Sequence, residues 1–182
     1  MTDRTLVLGG ARSGKSAYAE ALLPADAQVT YVATARRDPA DAEWEARIAA
    51  HVARRPSHWN TVEPTDLAAM IAAAPAGQLL LVDDIATWLT GVLDDVSAWD
   101  GSASALAEAA LRADALVASV RCCAGRLVLV SAEVGLGVVP ETRSGRLFRD
   151  ELGSLNARLA TVCDESVLLV AGLPVQLRSP RR

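Results

Sequence analysis

Short apolar runs alternate with longer stretches of mixed apolar and polar residues along most of the chain. The runs over residues 5–8, 29–33, 79–82, 127–130 and 167–171 are typical of buried strands in a parallel sheet. A further short extended piece is predicted over 60–64. Strands that alternate with helical segments predict an α/β fold, in which a mostly parallel sheet carries helices on both faces.

The segments between the apolar runs have the spacing and the end signals of helices. Helices are predicted over residues 17–23, 38–53, 65–71, 85–93, 106–123 and 141–161. In the second of them we expect Asp38 as the N-cap and Pro39 in the first helical position. Trp44 and Ile48 lie four residues apart in it and are expected to pack inward. Residues 174–182 are predicted to form a basic tail after the last strand.

A phosphate-binding pattern, G-x-x-x-x-G-K-[ST], directly follows the first strand. Its residues are Gly9, Gly10, Ala11, Arg12, Ser13, Gly14, Lys15 and Ser16. The glycines allow consecutive N–H groups to face a phosphate chain at a helix N-terminus, where the helix dipole favours an anion. We expect Lys15, the only lysine of the chain, to reach the terminal phosphates and Ser16 to hold Mg²⁺. The strand before and the helix after argue against a chance match, and they predict a P-loop NTPase-type sheet.

Polar residues follow the second and third of these apolar runs. Because the carboxyl ends of parallel strands line the ligand crevice of an open sheet, these residues are expected beside the phosphate loop. Asp83 follows the run over 79–82 and is predicted to hold Mg²⁺, directly or through water. Thr34, Ala35 and Arg36 follow the run over 29–33, and a solvated loop is the alternative interpretation of that segment.

A histidine surrounded by arginines is the candidate nucleophile. His51 shares a stripe of the predicted helix with Arg47 and with Arg54 or Arg55. Nearby positive charges disfavour the imidazolium, which leaves a neutral ring with a free lone pair, and the same arginines can bind the phosphate that the ring attacks. The alternative is a surface histidine without a chemical role. The other histidine, His58, is expected to have a structural or supporting role.

Composition limits the class of protein further. The chain has 182 residues, 51% of them hydrophobic and 22% charged, which suits one domain over residues 1–182. A net charge of −4 argues against a nucleic-acid partner held by a general basic surface. The sequence predicts no membrane span and no signal peptide, and we expect a cytoplasmic protein. The three cysteines lack the spacing of a zinc or redox motif and are expected to be small buried hydrophobes.

Motifs distributed along the whole chain together carry a family resemblance. They comprise residues 9–16, 31–34, Arg47-Ile48 followed by His51, Arg55-Pro56-x-x-Trp59, residues 61–63, Val82-Asp83, residues 133–140 and residues 148–150 with Asn156. On these motifs the sequence resembles the bifunctional adenosylcobinamide kinase/adenosylcobinamide-phosphate guanylyltransferase family of cobalamin biosynthesis.

The resemblance implies two reactions and a set of site residues. ATP or GTP would phosphorylate adenosylcobinamide, and GTP would then transfer GMP to the product through a GMP-histidine intermediate, at the position that matches His51. It also implies a symmetric homo-oligomer. Family nucleotide contacts carry over to residues 9–16 and to Thr34, Ala35, Arg36, Val52, Ala53, Arg54, Arg55, Glu63 and Asp83. Some members have two adjacent histidines in this helix, whereas here Ala50 precedes His51.

Two other functions stay open at this point. A monofunctional small-molecule kinase would move only the γ-phosphate, and His51 would then be incidental. A nucleotide-binding switch or assembly protein would use the same phosphate loop without a small-molecule substrate. The two differ from the bifunctional enzyme in whether an α-phosphate is transferred and whether turnover requires cobinamide.

Overall fold

Strands and helices alternate along residues 3–179, which the computed structural model describes. Of helix α2 it describes the whole backbone, but the side chains of Arg47, His51 and Arg54 lie outside the described part. The strands are β1 (Arg4–Gly9), β2 (Val29–Ala33), β3 (Asn60–Val62), β4 (Leu79–Asp83), β5 (Arg126–Ala132), β6 (Glu165–Val170) and β7 (Leu173–Arg178). The helices are α1 (Lys15–Ala21), α2 (Ala42–Arg54), α3 (Leu67–Ala72), α4 (Ile85–Asp95), α5 (Ala103–Cys122) and α6 (Arg143–Val162), with a 3-10 turn at Ala98–Asp100.

The strands form one sheet in the order β3-β2-β4-β5-β1-β6-β7. All neighbouring pairs are parallel except β6 and β7. The pairing aligns Ala33 with Asp83, Asp83 with Val130, and Gly9 with Ala132. The carboxyl ends of β1, β2, β4 and β5 therefore meet at one edge of the sheet, and the predicted α/β class is confirmed.

Apolar side chains of the strands alternate between the two faces of the sheet. On β1, Leu6 and Leu8 belong to the core beneath α3, α4, α5 and α6, whereas Val7 belongs to a second core beneath α1. The predicted core positions of α5 are confirmed, since Ala109, Ala113, Leu116, Val117 and Val120 are buried and Leu106 is partly buried. Helices therefore cover both faces, as predicted. No helix within residues 3–179 is long and apolar enough to cross a membrane.

Helix α2 begins later than the sequence predicts and does not join the core. Its N-cap is Asp41, whose side chain accepts a hydrogen bond from the Trp44 N–H, whereas Asp38 accepts from Ala40 N–H in the preceding turn. None of its described side chains is buried. Trp44 and Ile48 are half-buried and line a cavity above the phosphate loop, so the inward packing predicted for them is wrong.

The predicted basic tail is largely a seventh strand. Ala171 and Gly172 both have positive φ angles, 51° and 79°, and they turn the chain back so that β7 pairs antiparallel with β6. The pattern conceals this strand because both of its faces are exposed up to residue 177. The prediction is wrong for residues 174–178, and residues 180–182 lie outside the described part.

Burial differs among the three cysteines. Cys123 and Cys163 are buried, as expected, but Cys122 is exposed because it occupies the solvent side of the last turn of α5. Burial raises the pKa of the Cys163 thiol to about 12. The two buried thiols therefore behave as small apolar side chains.

Candidate functional site

The phosphate-loop motif, residues 9–16, runs from the last residue of β1 through a tight turn into the first residues of α1. Gly14 is the N-cap of α1 and has a φ angle of 87°, in the left-handed region where a side chain is strained. A Cβ atom on Gly9 would lie 2.3 Å from the Ser13 Oγ atom, so the buried Ser13 requires glycine there. Lys15 folds back over the loop, with its Nζ atom 3.5 Å from the carbonyl oxygen of Gly10.

The Asp83 carboxylate lies between the phosphate loop and β2. Its Oδ1 atom accepts a 3.3 Å hydrogen bond from the Ser16 hydroxyl, and its Oδ2 atom accepts a 2.6 Å hydrogen bond from the Tyr31 hydroxyl. Burial, and after it the nearby Asp83 charge, raises the pKa of Tyr31. The phenol therefore keeps its proton at neutral pH and donates it in the hydrogen bond to Asp83. The two residues predicted to hold Mg²⁺ are thus brought into contact.

The residue after Asp83 organises the start of α4. Asp84 caps this helix by accepting a hydrogen bond from the Thr87 N–H, and the Thr34 hydroxyl accepts one from the Asp84 N–H. Burial raises the pKa of Asp84, although its bonds from Thr87 oppose the shift. Thr34 therefore binds the backbone beside Asp83 and tethers the end of β2 to the end of β4.

A cavity of about 1010 Å³ opens above the phosphate loop. Its walls are the loop, the carboxyl ends of β2, β4 and β5, the segment around β3, and helix α2. The predicted site residues that line it are Ala11, Arg12, Ser13, Gly14, Lys15, Ser16, Ala35, Val52, Arg55, Glu63 and Asp83. The fold thus gathers most of the sequence-predicted positions around one space.

Other predicted positions lie elsewhere. Thr34 and Arg36 line a second cavity of about 690 Å³ between β2 and α4. There the Arg36 guanidinium makes two 2.8 Å hydrogen bonds to Asp95. The nucleotide contact of Arg36 stays a prediction, and its side chain would have to leave Asp95 to make it. Gly9, Gly10 and Ala53 are not among the described residues that line the larger cavity.

Arginines at the two ends of α2 bring positive charge to the cavity wall. Arg55 follows the helix directly; its guanidinium carbon lies 3.4 Å from the centroid of the Tyr31 ring, and it donates a hydrogen bond to Thr61. Arg37 precedes the helix and pairs with Glu45 at 3.0 Å and with Glu63 at 3.9 Å. These guanidinium groups and Lys15 can neutralise the charge of a bound polyphosphate.

The backbone of α2 carries residue 51 along the wall of the same cavity. Its neighbours in sequence, Ala50 and Val52, both line that cavity. The side chains of His51, Arg47 and Arg54 lie outside the described part of the structure, so the roles predicted for them stay predictions. His58 is exposed, in the loop before β3.

Comparison with known proteins identifies the family. Residues 5–177 match the family described as cobinamide kinase / cobinamide phosphate guanyltransferase. The chain belongs to this family. The membership confirms the resemblance found in the sequence motifs. The matched residues include part or all of each of the seven strands.

Relatives in this family align with the chain over nearly their whole length. The bifunctional adenosylcobalamin biosynthesis protein CobP of Pseudomonas aeruginosa is 44% identical over 180 residues, which cover 96% of this chain and 97% of the relative. The protein of the same description, CobU, of Salmonella typhimurium is 42% identical over 184 residues, which cover 95% and 98%. Among solved structures, the P4 protein from bacteriophage phi6 in complex with ADP aligns at 15% identity and a TM-score of 0.46, over 96% of this chain and 54% of that one.

The oxygen atoms around Ser16 and Asp83 suit a magnesium ion bound together with a nucleotide. Mg²⁺ prefers oxygen ligands, and beside phosphates it takes only one or two from the protein. A hydroxyl and a carboxylate oxygen already lie 3.3 Å apart here. Among the side chains that the structure describes, no group of three or more His, Cys, Asp or Glu residues is arranged to hold a metal ion.

Sequence reasoning missed Tyr31 as part of this site. It interpreted the residue as one member of an apolar strand, and the ring is indeed buried in the second core. Two signals were available: Tyr31 begins the family motif over residues 31–34, and the polar tip of a buried tyrosine needs a hydrogen-bond partner. Only the pairing of β2 with β4 identifies that partner as Asp83.

Proposed function

We propose that this chain phosphorylates adenosylcobinamide with ATP or GTP and then transfers GMP from GTP to adenosylcobinamide phosphate. The products of the second step are adenosylcobinamide-GDP and pyrophosphate, on the route to cobalamin. Family membership supports both activities. The observation that carries the proposal is that residues of the phosphate loop, Asp83, and the two neighbours of His51 in sequence, Ala50 and Val52, line one cavity.

In the kinase step the chain's own contribution is positioning and charge. The N–H groups of the loop and the N-terminus of α1 would bind the phosphates, and Lys15 lies over the loop, where it would reach the terminal phosphates. Ser16 and Asp83 would hold Mg²⁺, which when bound offsets phosphate charge. The acceptor hydroxyl of adenosylcobinamide must enter the cavity in line with the bond that breaks.

In the second step His51 is the proposed nucleophile. A ring nitrogen attacks the α-phosphorus of GTP, pyrophosphate leaves, and the phosphate oxygen of adenosylcobinamide phosphate then takes the GMP group from the histidine. Arg55 and Arg37 lie at the same wall and would carry the charge that develops. Lining of the cavity by Ala50 and Val52 supports this placement of residue 51.

The two steps require different geometries, because one reacts at the γ-phosphate and the other at the α-phosphate. We therefore propose that α2 shifts relative to the phosphate loop between the steps. Its described side chains are all at least partly exposed, so a shift of this helix would disturb little of the core. We further propose a cytoplasmic homo-oligomer of single-domain chains that binds no nucleic acid.

Labelling with GTP that carries ³²P at the α-phosphate tests the proposal. We expect Mg²⁺-dependent, acid-labile and alkali-stable label on the wild-type protein and none on His51→Ala. His58→Ala is the matched control, because this histidine is exposed and lies outside the cavity, and it should label like the wild type.

A second possible outcome is that the wild-type protein acquires no label and yet releases ADP from ATP only when cobinamide is present. That result would support the monofunctional kinase. Label that survives in His51→Ala would assign the nucleophile to another residue. Nucleotide binding without label and without cobinamide-dependent turnover would support a switch or assembly protein.

A further inference from the structure

The Asp83 carboxylate is held from two sides by residues of different elements. Its Oδ1 atom faces Ser16 of the phosphate loop at 3.3 Å, and its Oδ2 atom faces the Tyr31 hydroxyl at 2.6 Å. Tyr31 pairs with Leu81 across β2 and β4, so its side chain and that of Asp83, two residues further along, lie on the same face of the sheet. The hydrogen bond from the Tyr31 hydroxyl is short and has a charged acceptor, and such hydrogen bonds are stronger than those between neutral groups.

The ring of the same tyrosine contacts two residues that follow helix α2. The Arg55 guanidinium lies over its face at 3.4 Å, and the Trp59 ring flanks it at a centroid distance of 6.4 Å. The Tyr31 ring is only 1% exposed, so this packing fixes its position. Arg55 directly follows the helix that carries His51. Tyr31 therefore connects the carboxylate beside the phosphate loop with the end of α2.

We propose that Tyr31 is a positioning residue of this site. Its hydroxyl orients the Asp83 carboxylate so that Oδ1 faces Ser16, and its ring places Arg55 at the cavity wall. Without the hydroxyl, Oδ2 loses a donor and the carboxylate can rotate away from the loop. Metal affinity therefore depends on Tyr31, although Tyr31 is not itself a ligand. The inference rests on the proposed binding of a metal–nucleotide complex, but not on the identity of the acceptor.

The test compares the affinity of the protein–ADP complex for Mn²⁺ between Tyr31→Phe and the wild type. Electron paramagnetic resonance measures the bound and free Mn²⁺. The Phe variant retains the ring, so the contact with Arg55 persists and only the hydroxyl is lost. We expect Mn²⁺ to bind about tenfold more weakly, as is typical when a partner of a metal ligand is removed. The Mg²⁺ concentration that half-saturates turnover should rise by a similar factor, while metal-free ADP affinity stays within about twofold of the wild type.

Tyr18→Phe is the matched control. Tyr18, the other tyrosine of the chain, is half-buried on α1 and makes no hydrogen bond through its hydroxyl among the described residues. Its variant should bind Mn²⁺ like the wild type. Tyr31→Leu removes the ring as well, and we expect it to weaken metal-free ADP binding severalfold, because Arg55 then loses its support. This variant tests the second half of the proposal separately.

A double-mutant cycle with Asp83→Ala distinguishes orientation from general destabilisation. If Tyr31 acts through Asp83, Tyr31→Phe should not weaken Mn²⁺ binding further in the Asp83→Ala background. Unchanged Mn²⁺ affinity in folded Tyr31→Phe, with only a lower unfolding temperature, would overturn the inference. Weakened Mn²⁺ binding in Tyr31→Phe, together with no cobinamide-dependent turnover by the wild type, would support the inference and overturn the proposed function.

Discussion

Lys15 is the residue whose charge the proposed phosphate transfer uses most directly. It is the only lysine of the sequence and lies within the phosphate loop, with its ammonium group 3.5 Å from the Gly10 carbonyl. A compact ammonium on a flexible stem can follow a phosphate, whereas a guanidinium is planar and needs a fixed geometry. The chain uses arginine at every other basic position. We infer that residue 15 requires the ammonium specifically.

Replacing Lys15 with methionine tests this requirement. Lys15→Met keeps most of the stem, and we expect kcat for cobinamide-dependent ADP release to fall about 100-fold, the scale of losing one charge-stabilising donor. Lys15→Arg keeps the charge and should still lose most of the activity. Activity within about threefold of the wild type in Lys15→Met would contradict the role. Nucleotide affinity, measured in parallel, separates binding from turnover.

The contacts that only the folded structure reveals join residues that lie far apart in the sequence. The sequence shows Asp83 at the end of an apolar run, but not that Tyr31 donates to it or that Arg36 pairs with Asp95. Each of these contacts joins residues at least 50 positions apart. Periodicity and local motifs report only neighbours in the chain, so such pairs depend on the order of the strands.

Helix α2 differs from the other helices in its relation to the core. It is amphipathic, but its half-buried Trp44 and Ile48 face the cavity and not the sheet. The Trp44 indole N–H donates to the Arg36 carbonyl, which ties the start of the helix to the end of β2. A helix held by its cap and a few polar contacts opens locally more easily than one packed on the sheet. This is the element that the proposed mechanism requires to shift.

The cap of α2 provides a test at this scale. Asp41→Ala removes the bond from the Trp44 N–H and should cost about 1 kcal/mol, typical of an N-cap. Because α2 adds no buried side chain among its described residues, we expect local opening without a change in global unfolding. Amides of α2 should exchange hydrogen about fivefold faster, while the urea midpoint stays unchanged.

Asp38→Ala is the matched control for the cap. It removes only the turn bond from the Ala40 N–H, so exchange in α2 should change less than in Asp41→Ala. Equal effects of the two substitutions would contradict the assignment of Asp41 as the cap. A fall in the urea midpoint of Asp41→Ala would instead show that α2 unfolds together with the sheet.

At the scale of the whole molecule, an ion pair joins the first strand to the last parallel one. The Arg4 backbone N–H and guanidinium donate three hydrogen bonds of 2.9 to 3.0 Å to Asp164, which directly precedes β6. The Arg4 guanidinium beside Asp164 holds the pKa of that carboxyl below its usual range. The lowered pKa makes the stability that this ion pair contributes depend on pH.

The sign of this linkage gives a prediction. A carboxyl whose pKa falls on folding adds stability above its unfolded pKa, about 3.9, and the contribution is lost as the pH falls through the lower folded value. Asp164→Asn should therefore reduce the free energy of unfolding at pH 7 by about 1 kcal/mol, a modest value because the carboxylate is one-third exposed. The difference from the wild type should shrink progressively below about pH 4.

Urea unfolding at pH 7 and at pH 3 measures the effect. Asp114→Asn is the control, because Asp114 pairs with Arg158 at a more exposed position and should matter little at either pH. A difference between Asp164→Asn and the wild type that persists unchanged at pH 3 would contradict the ionic origin of the stabilisation.

The amino-acid sequence alone was enough to identify the class of fold, the phosphate-loop motif and the family. Each of these depends on residues that are close in the sequence. The apolar runs have the length of strands, the glycines of the loop allow its tight turn, and the family motifs are short segments that occur in a set order along the chain. The sequence also indicated Ser16 and Asp83 as partners, because parallel strands bring their carboxyl ends to one edge. The tertiary structure decided which of the predicted residues share a cavity, since that depends on how distant segments pack. It also assigned the cap of α2 to Asp41, paired β7 with β6 across the turn at Ala171 and Gly172, and brought the Tyr31 hydroxyl to Asp83.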